Sequence, residues 1–199
     1  MQNRELDSAR GGWSPRVMAC TLVAYGFFGA GYIAYATFII AYLRGAEGFT
    51  GGDVTRFWSL FGLSSVAAAF AWGRILGRLK GGWGTAATLS VLAIGTAAPL
   101  IWTTPAGAYV SALLFGGSFL AVLAAVASFA RRAFPPHAVT AAIGALTVVF
   151  GIGQCIGPVL SGALADGPSG LKAGLWLSVA ILGVGAVVAA FQREPSRAE

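Results

Sequence analysis

Six apolar stretches of membrane-crossing length make up nearly the whole of this chain, and that pattern leaves few folds open. They run over Arg16–Leu43, Phe57–Leu76, Gly84–Trp102, Ala106–Ala130, Val139–Leu164 and Leu171–Phe191. Crossing about 30 Å of hydrocarbon takes about 20 helical residues at roughly 1.5 Å each, and every stretch is near or above that length. Charged residues are only 10% of the chain, against roughly 25% in a soluble domain, so an ordinary water-facing surface is excluded. In lipid the backbone must satisfy its own hydrogen bonds, which leaves helices or a closed barrel. Barrel strands alternate polar with apolar residues, whereas Leu113 to Ala127 and Leu175 to Ala190 are apolar or small throughout. The reading is an all-α membrane protein: a tail at 1–15, a six-helix transmembrane domain at 16–192 and a tail at 193–199. The first stretch is too long for the apolar part of a cleaved signal peptide, and a polar tail precedes it.

Basic residues outnumber acidic ones by 13 to 7. Their placement explains the excess. Arg4, Arg10, Arg16, Arg74, Arg78, Lys80, Arg131, Arg132, Arg193 and Arg197 fall on one side of the alternating spans; Arg44, Arg56 and Lys172 fall on the other. Lys and Arg concentrate on the cytoplasmic side of membrane proteins, so both termini are expected there. The basic charge is topology, and no nucleic-acid partner is expected. Trp13, Trp58, Trp72, Trp83, Trp102 and Trp176 all stand near expected helix ends, where indoles anchor at the headgroup level. Cys20 and Cys155 lie alone in different spans, giving neither a disulfide framework nor a metal site. No cofactor is expected.

Loops are short, so neighbouring helices are antiparallel. The glycine-rich segment from Arg44 to Asp53 reads as the longest loop, with Thr50 or Asp53 capping the second helix. Phe134-Pro-Pro-His137 breaks the chain between the fourth and fifth spans. Small residues recur four apart at Gly73, Gly77 and Gly81, and again at Gly153, Gly157 and Ser161, the latter beside Pro158. Such spacing strips one helix face and lets another backbone approach, so these positions are expected to serve packing or gating.

Three passages carry a family resemblance. One is Trp58-Ser-Leu-Phe-Gly62 leading to Trp72-Gly-Arg-Ile-Leu-Gly-Arg78. The second is Ser111-Ala-Leu-Leu-Phe-Gly-Gly-Ser-Phe119. The third, and most specific, is the run from Thr147 through Gly153-Gln-Cys-Ile-Gly-Pro158 to Asp166. Together they resemble the C-terminal six-helix half of major facilitator superfamily transporters of the YbfB/YjiJ-type subgroup. The resemblance implies a multi-pass protein of the cytoplasmic (inner) cell membrane that moves a small organic solute by alternating access. It also implies a second six-helix half. The two halves of such transporters are related by an axis along the membrane normal and face the same way. Two copies of this chain could therefore pair as a closed homodimer, or a separate half-transporter subunit could serve. The chain departs from the family where an acid is expected after the second helix: that position is Gly77, between Leu76 and Arg78. Arg74, Arg78 and Lys80 then need another partner.

In that fold the first and fourth helices of each half line the central cavity. Tyr25, Phe28, Tyr32, Tyr35, Ile39 and Tyr42 recur at three- and four-residue steps on the first span, hence on one face. Phenols in hydrocarbon need partners. Tyr25, Tyr32 and Tyr35 are candidates to line a substrate path, while Tyr42 fits an interfacial packing role. Phe115 and Ser118 are the candidates on the fourth span. Gln154, the most polar group deep in a span, could equally tie helices together or touch substrate. No charged side chain falls near a span centre, which favours facilitated movement or coupling supplied by a partner. Arg56, one turn from Asp53, could attract an anion, and His137 could relay protons.

Two other classes compete. An intramembrane serine protease would need a base beside Ser118, and the chain's one histidine, His137, lies at a loop half a bilayer away. The chain is therefore expected not to be an enzyme. A non-transporting assembly or sensor subunit built on the half-fold is the remaining alternative.

Overall fold

In a computed structural model, which describes residues 15–168 and 170–194, each apolar stretch is an α-helix. A 3₁₀ turn at Pro15–Met18 leads into α1 (Ala19–Glu47). It is followed by α2 (Gly51–Leu76), α3 (Trp83–Ile101), α4 (Pro105–Ala133), α5 (Pro136–Ala165) and α6 (Gly170–Ala190). All six are long and apolar enough to cross a membrane, and no strand occurs among the described residues. The expectations for most of the two tails, and for Trp13, Arg4, Arg10 and Arg197 within them, lie outside the described residues.

Helix ends follow local chemistry. α1 continues past Arg44, Gly45 and Ala46 and stops only at Gly48, whose φ of 67° puts it in the left-handed region, with its N–H on the Leu43 carbonyl. The expected long loop from Arg44 to Asp53 is therefore only Gly48 to Thr50, because a single glycine such as Gly45 weakens a helix without ending it. Thr50 and Asp53 form a reciprocal capping box at the start of α2. The Asp53 carboxylate accepts the Thr50 N–H at 3.0 Å. Pro105 and Pro136 open α4 and α5, where a missing N–H costs nothing.

Two tryptophans differ from expectation. α2 starts well before Phe57, so Trp58 stands more than a turn inside it, edge-on to Phe57 and Phe61. Trp72 is more than an interface anchor, since its indole N–H donates to the Gly117 carbonyl at 2.8 Å and ties α2 to α4.

α1 packs along α5 and α6, and α3 packs along α4 and α6. α2 rests mainly on α4. α1 and α4 meet only sparsely, as do α4 and α5. The bundle thus has α2 on one flank, α5 on the other, and α1 and α4 between them. Gly153 and Gly157 form the tightest crossing: a Cβ at either would run into the α1 backbone at Gly26 or Ala30. Gly73 and Gly77 behave differently. Neither meets another helix of the chain, because α2 turns its other face to α4. A packing role for those two would need a neighbour outside these six helices. The flanks carry the most open apolar surface, with Phe70 of α2 79% exposed and Val159 of α5 69%.

Candidate functional site

The three- and four-residue steps of aromatic residues on α1 build a seam of rings that reaches three other helices. Tyr25 stacks on Phe28 at 5.6 Å and on Phe150 of α5 at 5.0 Å. Phe28 stacks on Tyr32 at 5.3 Å. Tyr32 in turn lies 4.9 Å from Phe119 of α4 and 5.8 Å from Phe150, nearly parallel to the latter. Phe61 of α2 extends the seam, 6.2 Å from Phe119 and 5.9 Å from Phe115. Phe28 is fully buried, whereas Tyr32, Phe119 and Phe150 are partly exposed. The result is a packed aromatic floor, part of whose surface is exposed.

Polar groups punctuate this floor. Gln154 of α5 donates through Nε2 to the Tyr32 hydroxyl at 3.0 Å. That bond leaves the Tyr32 O–H proton and the Gln154 carbonyl oxygen without a partner among the described residues, a donor and an acceptor side by side. Tyr35 is buried, 4.6 Å from the Phe115 ring, and its hydroxyl bonds to that of Ser111. Ser118 is also buried, and its hydroxyl has no partner among the described residues, its own helix backbone included.

Of the residues singled out in the sequence, Tyr25, Tyr32 and Gln154 come together at the floor; Tyr35 and Phe115 adjoin them below it. Tyr42 is buried in the core. Arg56 does not join them. It pairs with Asp53 at 3.3 Å at the start of α2, with its side chain 75% exposed. His137 is exposed in the first turn of α5, at the opposite end of the bundle. Phe61, Phe119 and Phe150 escaped sequence reasoning, although Phe150 precedes Gln154 by one helical turn and so shares its face. Glu47 was missed too. Both its carboxylate oxygens are enclosed at the end of α1 with no hydrogen-bond partner among the described residues.

A second polar constellation sits where α1 begins and α6 ends. The Gln192 side chain accepts the Thr21 N–H at 3.1 Å and donates to the Val17 carbonyl at 2.9 Å. The Gln192 carbonyl accepts the Gly82 N–H at 2.8 Å. Glu194 accepts Arg132 Nε–H at 3.0 Å through Oε1, and the Gly81 N–H through Oε2. Gly81 has φ 56°, and a Cβ on Gly82 would collide with the Ala189 carbonyl, so this turn must be glycine to seat on α6. Burial alone would raise the Glu194 carboxyl; the Gly81 N–H, Arg132 and nearby Lys80 outweigh it and hold the group below its ordinary range. Residues 192–194 thereby clasp α1, α4, α6 and the α2–α3 turn.

No curated protein matches the chain. The model of the family described as uncharacterised MFS-type transporter YbfB matches residues 5–190. Six membrane-length helices and that match place the chain in one class: it belongs to the YbfB-type family of major facilitator transporters.

Proposed function

We propose that this chain is one six-helix half of a carrier in the cytoplasmic membrane, with the start of α1 and the end of α6 on the cytoplasmic side. It moves a small organic solute by alternating access, completed by a second copy of itself or by a separate half. The observation that supports this most is the partly exposed aromatic floor shared by α1, α2, α4 and α5, with the Tyr32–Gln154 pair set in it. Aromatic rings with a few placed polar groups make a surface suited to a small, largely apolar organic molecule. Tyr25, Tyr32 and Gln154 touch the solute on this reading, while Tyr35, Phe115 and Ser118 set the shape beneath. Gly153, Gly157 and Pro158 keep α5 against α1 so that the half moves as a unit.

The test is solute flux in proteoliposomes, screened over small organic compounds first ranked by thermal stabilisation. Flux that falls at least tenfold in Tyr32→Phe and Gln154→Leu, with the proteins still folded, supports the carrier reading; tenfold is about 1.4 kcal/mol. Absence of flux for every compound that stabilises the protein would favour the assembly or sensor role instead.

A further inference from the structure

A cavity of about 420 Å³ opens on the face where α1 begins and α6 ends, apart from the aromatic floor. Its walls include Arg16, Val17, Phe191, Gln192, Arg193 and Glu194. Glu194 is the acid among these, and its charge is already engaged by Arg132 at 3.0 Å and by the Gly81 N–H. Arg16 and Arg193 have no carboxylate partner among the described residues. Arg16 and Arg193 both line the cavity, and the fork geometry of a guanidinium suits phosphate oxygens. Gln192 is 8% exposed, and its side-chain amide also donates to the Arg193 carbonyl at 3.1 Å, so the wall that carries Arg193 is held in place before any ligand arrives. Beside these cations stand Phe191, 73% exposed, just past the end of α6, and Val17, 37% exposed, in the turn that leads into α1. A volume in the range of about 300–1,000 Å³ accommodates a small molecule rather than a bare ion.

We propose that this cavity binds the headgroup of an acidic glycerophospholipid, with its phosphodiester between Arg16 and Arg193 and an acyl chain along Phe191 and Val17. A soluble phosphate ester offers the same charge but leaves the apolar flank uncovered. The site stands apart from the carrier reading, and neither depends on the other.

Native mass spectrometry of the full chain in detergent, titrated with phosphatidylglycerol or phosphatidylcholine, tests it. The wild type is expected to retain phosphatidylglycerol in preference to phosphatidylcholine. Arg16→Gln with Arg193→Gln weakens that binding about 30-fold, as two cations near an anionic lipid imply, and each single variant about five-fold. Arg74→Gln with Arg78→Gln removes the same charge from the same face and leaves binding unchanged. Equal retention by the Arg16/Arg193 variant overturns the proposal, as does an equal loss in the Arg74/Arg78 control. Glycerol phosphate binding as tightly as phosphatidylglycerol overturns the lipid assignment.

Discussion

Glu194 brings a carboxylate from beyond α6 to the turn between α2 and α3, where it accepts the Gly81 N–H and pairs with Arg132 of α4. The sign of its pH dependence follows. The folded state holds the Glu194 carboxyl below the ordinary glutamate value, so its contribution is complete above that ordinary value and disappears as pH falls through the lower folded one. Glu194→Gln is therefore expected to melt earlier than wild type at neutral pH, with the gap closing under acid conditions. Thermal melts in detergent across pH check this; a gap that widens in acid contradicts it. Tyr35→Phe is a second test. It strands the buried Ser111 hydroxyl and should cost about 0.6–1.7 kcal/mol, the range for interhelical bonds in membranes. Tyr32→Phe removes a partly exposed bond and should cost no more than about 0.6 kcal/mol in stability while reducing flux, which separates a lining residue from a packing one.

At the scale of helices, the apolar stretches revealed the elements because membrane length and uniform apolarity admit little else. Their ends were less legible. A glycine such as Gly45 reads as a loop residue in isolation, yet the helix runs through it, while Gly48, turned left-handed, ends α1. The two glycine stripes looked alike in sequence, but only the one on α5 meets another helix, since spacing marks a bare face without saying what lies opposite. The aromatic floor was half legible. The α1 face was visible from its period, but its pairing with Phe119 and Phe150 depends on which helices touch. The clasp by Gln192 and Glu194 was invisible, because it joins residues 171 and 113 positions apart. The α5 stripe gives a direct test. Gly153→Val drives a side chain into the α1 backbone and should destabilise by about 1–3 kcal/mol, whereas Gly73→Val meets open space and should leave the melting temperature of the isolated chain unchanged.

At the scale of the molecule, the sparse contact between α1 and α4 and the bare flanks of α2 and α5 bear on one question: what completes the bundle. Exposed apolar surface alone does not answer it, since lipid covers such faces as well as protein does. Glycine does more to discriminate. Gly144 and Gly151 lie two turns apart on α5 and a Cβ on either would meet nothing within 4 Å, so bulk there costs this chain nothing by itself. A lipid-facing surface has no use for bare backbone, whereas a second six-helix unit closing on α5 would. Gly151→Leu is accordingly expected to leave the monomer's thermal stability intact but to abolish both association and flux if a second copy is the partner. The mass of the protein–detergent complex, measured alongside flux, decides the matter. A wild type that stays a single chain while transporting removes the paired arrangement. A variant that remains paired and active places Gly151 outside the seam between the copies.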